Sequence, residues 1–199
     1  MARAKVGDER RGQILAAFEA CVVRDGLAKT TLQKVADEAA LPRSLVRYFI
    51  GNRDEMVNVL IDAMMARAEL EMAEVYPAGK PMTPRELVSF VFDSLFDNDT
   101  TNGVVSELWL LAQRDEAVKA RLAKLYGRMQ DEIVTQMALA GFGRSKPARK
   151  RVAYGLMSLG YGDASYKFLS QTFEQKSALK QVALGMVERL EAEGQKNEK

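Results

Sequence analysis

Arg43, Ser44, Arg47 and Tyr48 fall within six consecutive positions, and their side chains share one kind of chemistry. A guanidinium can pair bidentately with the edge of a guanine or hold a phosphate, and serine and tyrosine hydroxyls can serve either purpose. The rest of the composition narrows the alternatives. With no histidine, the chain has no imidazole base or ligand and no zinc finger, and its single cysteine, Cys21, excludes an intrachain disulfide. No paired carboxylates and no glycine-rich phosphate loop stand out, so no catalytic residue, metal or cofactor is assigned.

Charge is unevenly placed. Residues 1–53 hold ten Lys/Arg against six Asp/Glu, whereas the remaining residues hold nineteen against twenty-one. A basic first quarter on a slightly acidic body points to a polyanion as partner for that quarter alone. No apolar run approaches the roughly 18 residues needed to span a bilayer, and Met1-Ala2-Arg3-Ala4-Lys5 lacks an apolar signal core. The expectation is a soluble, cytoplasmic protein without membrane contact.

These four side chains need an element to present them. Ile14, Leu15, Phe18 and Val22 recur at the spacing of one buried helical stripe, which ends at Gly26. Thr30-Thr31-Leu32-Gln33 reads as a capping box opening a short helix with Leu32, Val35, Ala36 and Ala39 on one face. Pro42 suits the first turn of a third helix. In that helix Leu45 or Val46, with Phe49 and Ile50, must pack inward, leaving Arg43, Ser44, Arg47 and Tyr48 outside. Two short helices joined by a tight turn after a longer one form a helix-turn-helix. Thr30, Thr31 and Lys34 would flank the groove as contacts to the nucleic-acid backbone, and helix N-termini, including the one at Arg53, can offer amides to phosphates.

Asn52 caps a long fourth helix over 53–76, and the cluster of Pro77, Gly79, Pro81 and Pro84 marks the main boundary. Thr83-Pro84-Arg85-Glu86 is a second capping box, opening a helix through Phe96 and followed by a polar loop at 97–102. Further helices are expected near 103–113, 116–140, 147–170 and 175–193, with a frayed tail over 195–199. The fold class is all-α, with about nine helices. The domains are a helix-turn-helix over 1–52, a connecting helix over 53–76 and a larger helical domain over 77–199.

The stretch from Thr31 to Met56 resembles the N-terminal domain of TetR-type transcriptional repressors. The family pattern, roughly T-x-x-x-I-A-x-x-A-G-V-S-x-x-T-L-Y-x-Y-F-x-x-K-x-x-L, fits without a gap. Val35-Ala36 takes the I-A place and Ala39-Ala40-Leu41-Pro42 the A-G-V-S place. Val46 takes the leucine, Phe49-Ile50 the Y-F pair, and Arg53-Asp54-Glu55-Met56 the K-x-x-L. The upstream helix, with Arg10, Ile14, Leu15, Phe18 and Gly26, is also similar. Ala40 in place of the turn glycine implies either a tighter turn without a left-handed residue or a modest strain. Pro42 removes the usual serine cap.

The resemblance implies a ligand-binding and dimerisation domain after about residue 68. Gly155, Gly160 and Gly162 within one helical region suggest close approach of another backbone, so the helices near 147–170 and 175–193 are the expected homodimer interface. Phe92, Phe96, Trp109, Met129 and Tyr161, with Glu107 as polar anchor, are the candidate ligand-binding residues. The function implied is a homodimeric repressor released from a palindromic double-stranded DNA operator by a small-molecule effector of unknown identity. The alternative is an all-helical protein–protein adaptor without specific DNA binding.

Overall fold

The computed structural model describes the backbone of residues 2–75, 80–167 and 176–195, and side chains over 7–52, 54–67, 70, 80–167 and 178–194. Of the tail expected over 195–199, Gln195 is helical and 196–199 lie outside the described residues, as do Pro77 and Gly79 of the boundary cluster. Among those described there are nine α-helices and no strand: α1 (Ala2–Asp25), α2 (Leu32–Glu38), α3 (Arg43–Ile50), α4 (Arg53–Val75), α5 (Pro84–Phe90), α6 (Asp99–Ala112), α7 (Glu116–Leu139), α8 (Lys146–Lys167) and α9 (Lys176–Gln195). No helix among them is long and apolar enough to cross a membrane.

The chain forms two compact units, one of residues 1–67 and 100–122, the other of 68–99 and 123–199. The sequence places 53–76 as a connector and everything after 77 in a second domain; the compact grouping instead takes 53–67 and 100–122 in with the N-terminal helices. Three contacts explain it. Gly103 on α6 leaves room for Val23 of α1, whose side chain would lie 3.1 Å from a Cβ added there. The Leu27 amide donates to Glu107 on α6 at 2.7 Å. Arg121 of α7 donates to Asn58 on α4 at 2.5 Å and also pairs with Asp62.

The N-terminal core combines Ile14, Phe18, Cys21 and Val22 of α1 with Val35 and Ala36 of α2, Val46 and Ile50 of α3, and Met56, Leu60 and Ile61 of α4, all buried. Helices of seven and eight residues do not persist alone in water. Burial of an aliphatic or aromatic side chain contributes roughly 1.5–3 kcal/mol, so α2 and α3 exist because this core holds them.

In the C-terminal unit, the capping box at α5 is present in full: the Thr83 amide donates to Glu86 at 2.8 Å, and the Glu86 amide donates to the Thr83 hydroxyl at 3.2 Å. The Thr83 amide, then its hydroxyl, hold the Glu86 carboxyl below its ordinary value. The expected single helix to Phe96 changes character, because residues Val91–Leu95 form a π-helical turn. Phe90, Val91 and Phe92, three neighbours in sequence where α5 passes into that turn, are all buried. The expected loop at 97–102 is shorter, since α6 starts at Asp99. Asp97 accepts a hydrogen bond from Lys167 at 2.9 Å, which raises the lysine's pKa above its ordinary value. The glycines of α8 face their own chain: a Cβ at Gly155 would collide with Met186 of α9, and one at Gly160 would sit 2.7 Å from Phe96. The close approach foreseen for another backbone is, at these two positions, an approach of side chains from the same chain.

The turn between α2 and α3 aims the third helix. Leu41 donates to the Ala36 carbonyl at 3.0 Å and Ala40 to that of Asp37 at 3.1 Å, the paired bonds of a Schellman motif. Its left-handed residue is Ala40, with φ 52°. Of the two alternatives for the missing glycine, the chain takes the strained one. An L-residue there costs about 1–2 kcal/mol, partly offset by the smaller entropy alanine loses on folding. Ala40→Gly is therefore expected to stabilise the protein by about 0.5–1 kcal/mol in urea unfolding; a lower midpoint would show that the turn carries no such strain.

Candidate nucleic-acid interface

Successive residues of a helix advance by about 100°. On α3 this places Arg43, Arg47, Ser44 and Tyr48 within one sector about 140° wide, and Leu45, Phe49, Val46 and Ile50 in the opposite one. Burial follows the same division. The first four are exposed, Tyr48 at 81%, whereas Val46 and Ile50 are at most 1% exposed and Leu45 and Phe49 half-buried. The Tyr48 ring meets Phe49 edge-on at 5.2 Å, so the outer aromatic is braced by the inner one.

Pro42 lies just outside the helix as its N-cap, not within its first turn, and its carbonyl accepts from Leu45 and Val46 at 2.9 and 3.1 Å. At the other end Gly51 takes φ 73°, and a Cβ there would overlap the Glu55 carboxylate. That carboxylate accepts from the Asn52 amide at 2.6 Å, while the Asn52 side chain accepts from the amides of Asp54 and Glu55 at 2.9 and 3.0 Å. The cap on α4 thus fixes where α3 stops. Arg53 opens α4, and its side chain lies outside those described.

The residues expected to flank the groove divide. Thr31 is exposed and is the N-cap of α2, its hydroxyl accepting from the Lys34 amide at 3.3 Å. Thr30 is 1% exposed, and its hydroxyl donates to the Gly26 carbonyl at 2.9 Å. Thr30 is therefore a fastening of the preceding turn and does not face solvent, because the chain between α1 and α2 is wound into a 3-10 turn over Leu27–Lys29. The N-cap of α2 is correspondingly Thr31, one residue later than expected, and Gln33 donates to Asp37 at 2.8 Å.

Lys34 is already paired: its ammonium donates to Asp25 at 2.8 Å. Arg24 extends the network to Glu38 at 2.6 Å and to Asp25 at 3.3 Å. The hydrogen bonds first to Glu38 and then to Asp25 push the Arg24 pKa upward, and those from Lys34 and then Arg24 lower that of Asp25. Cys21, buried beneath, has its thiol pushed above the ordinary range by burial, with Arg24 acting the other way. One polar contact to the helix-turn-helix was not legible in the sequence. Gln13 on α1 donates to the Ala39 carbonyl at 2.8 Å, and Arg10, one turn earlier on the same helix, donates to Gln13 at 2.8 Å. Gln13 and Ala39 belong to different segments, so no local spacing announces their contact.

The six candidate ligand-binding residues are divided between the units. Phe92, Phe96 and Met129 are buried and Tyr161 is half-buried in the C-terminal unit, with the rings of Phe96 and Tyr161 edge-to-face at 6.4 Å. Glu107 and Trp109 belong to the N-terminal unit. Trp109 is 46% exposed, and Glu107 is engaged by the Leu27 amide, so its carboxylate acts as a cap on the 3-10 turn where the sequence suggested a ligand anchor.

No family model matches the chain. It is 28% identical over 179 residues to the HTH-type transcriptional regulator BetI of Paraburkholderia xenovorans, covering 86% of this chain and 88% of that protein. Over 93 residues it is 33% identical to the HTH-type transcriptional regulator TtgR of Pseudomonas putida, covering 44% and 43%. The crystal structure of a TetR transcription regulator from Haloarcula marismortui superposes with a TM-score of 0.76 at 16% identity, covering 92% of this chain and 98% of that one. An exposed, arginine-bearing helix on a helix-turn-helix core, with relatives of this kind, makes the protein a DNA-binding transcriptional regulator. Its fold is the one seen in a solved TetR transcription regulator.

Because the native state lowers the Asp25 pKa, its stabilisation is complete above the unfolded value of about 3.9 and fades as pH falls through the lower native one. Asp25→Asn should therefore unfold more easily than wild type at neutral pH, and the difference should shrink below about pH 4. Urea midpoints measured across pH 2.5–7 for both proteins (on the order of the carboxylate range) check this; a gap that grows on acidification would contradict it.

Proposed function

We propose that this regulator is a homodimeric repressor that holds a palindromic operator and releases it on binding a small-molecule effector. The observation that carries the reading is the division of α3, whose exposed sector holds only Arg43, Ser44, Arg47 and Tyr48. Arg43 and Arg47 read base edges or phosphates, Ser44 and Tyr48 add hydroxyl contacts, and Thr31, Lys34 and Arg53 hold the DNA backbone. Lys34 exchanges its Asp25 partner for phosphate, or shares it, when DNA arrives.

One helix-turn-helix makes few base contacts, whereas two related by a dyad address half-sites about 34–36 Å apart. Support for the second copy comes from α8 and α9. Tyr154 and Ser158 are exposed and Gly162 half-buried on one face of α8, and Ala178, Val182, Gly185 and Arg189 are exposed along α9. Tyr154 at 69% and Val182 at 56% are large apolar groups left in water by their own chain. The effector is placed against Phe92, Phe96, Met129 and Tyr161, beside the π-helical turn, a feature frequent at functional sites. It favours a conformation with α4 tilted and the two recognition helices out of operator spacing. A hundredfold loss of operator affinity needs about 2.7 kcal/mol of differential binding between the two conformations.

Arg47→Ala is expected to weaken operator binding by about 1–3 kcal/mol and to relax base preference at one position of each half-site. Competition binding against single-base operator variants checks this; an unchanged preference profile would favour the adaptor reading. Tyr154→Asp combined with Val182→Asp should yield a folded monomer in sedimentation velocity that no longer binds the full palindrome tightly. A variant that sediments as wild type would remove α8 and α9 from the interface.

A further inference from the structure

We propose that Glu107 is a positioning residue for DNA binding, fixing from α6 the turn on which α2 and α3 are set. The inference rests on the reading of α3 as the recognition helix. After α1 the chain reverses at Gly26, with φ 81°, and the next residue, Leu27, is buried. The Glu107 carboxylate accepts from its amide at 2.7 Å. One helical turn earlier, Gly103 lets α6 lie against Val23 on the last turns of α1. Positions 103 and 107 share a face, so α6 is docked at two points, one by close packing and one by a charge-assisted hydrogen bond.

The turn passes this restraint forward. The Gly26 carbonyl accepts from the Lys29 amide at 3.2 Å and from the Thr30 hydroxyl at 2.9 Å. Thr31, next in the chain, caps α2. Four residues of hydrogen-bonded turn therefore join the Glu107 carboxylate to the start of the helix-turn-helix. A shift of α6 moves that starting point, and with it the stance of α2 and α3. Glu107 touches no base or phosphate in this scheme; it acts through Leu27.

The test uses full-length Glu107→Ala, Glu107→Gln and wild type with a duplex enriched by the wild-type protein from a random pool. Removing the acceptor should weaken binding to the enriched duplex about tenfold and leave binding to a shuffled duplex unchanged. In the same variant the Leu27 amide should exchange at least about tenfold faster while amides of α8 and α9 keep their protection. Glutamine still offers an oxygen, so Glu107→Gln should restore affinity to within about twofold of wild type. Wild-type affinity in Glu107→Ala would overturn the proposal, as would a weak Glu107→Gln whose Leu27 amide stays protected. If Glu107→Ala folds poorly, Gly103→Ala, which presses α6 off Val23, should weaken enriched-duplex binding in the same direction, and its failure to do so counts against the proposal. Arg47→Ala run in parallel separates the two readings: if it leaves binding intact, the recognition-helix assignment fails, whereas Leu27 exchange still reports on Glu107.

Discussion

Two side chains, Val46 and Ile50, tie α3 to the rest of the molecule, and both are at most 1% exposed. An eight-residue helix with half its surface in water has little stability of its own. Its existence and its orientation both come from filling the space left by Phe18, Val22, Val35 and Ala36. Because those partners come from α1 and α2, whatever displaces either of them displaces the arginines. The outer face makes no demand on the fold and is free to be chosen for what it reads.

Around this apolar contact the structure builds a frame of polar restraints at the ends of short elements. Gln13 holds the end of α2, Glu55 and Asn52 hold the junction of α3 and α4, and Glu107 holds the turn before α2. Each partner is a backbone amide or carbonyl at the end of a helix or turn. Exposed ion pairs such as Arg24–Glu38 contribute little individually, yet the network gives Lys34 a defined position before any phosphate is present. A lysine ordered by an acidic neighbour can take a second anion only by breaking or sharing that contact.

The C-terminal unit obeys a different logic. Gly155 and Gly160 leave room for the side chains of Met186 and Phe96, and Phe90, Val91 and Phe92 are all buried at the entry to its π-helical turn. With the interior filled in this way, Tyr154 and Val182 remain as large apolar groups in water. Their spacing along α8 and α9 gives each helix an outward face, which a second copy of the chain would cover.

Much of this was readable from the residues alone. Apolar spacing gives the all-helical architecture, the capping box at Thr83 gives the start of α5, and exclusion of Val46 and Ile50 from the outer face leaves Arg43, Ser44, Arg47 and Tyr48 outside. Those inferences depend on neighbours within one or two turns, where geometry is nearly fixed by the helix itself. Thr30 and Glu107 show where such reasoning stops. A threonine before a helix looks like a cap, and a glutamate beside a tryptophan looks like a ligand anchor; which amide each finds depends on how α1 ends and where α6 lies, the latter 80 residues away in the chain. Residue spacing alone marks where the helices run and which face of α3 meets solvent, because both patterns are local. Only the tertiary structure decided that Thr30 is sealed inside, that Lys34 is held by Asp25, and that α6 packs with the N-terminal helices, because hydrogen bonds between distant segments follow no periodicity.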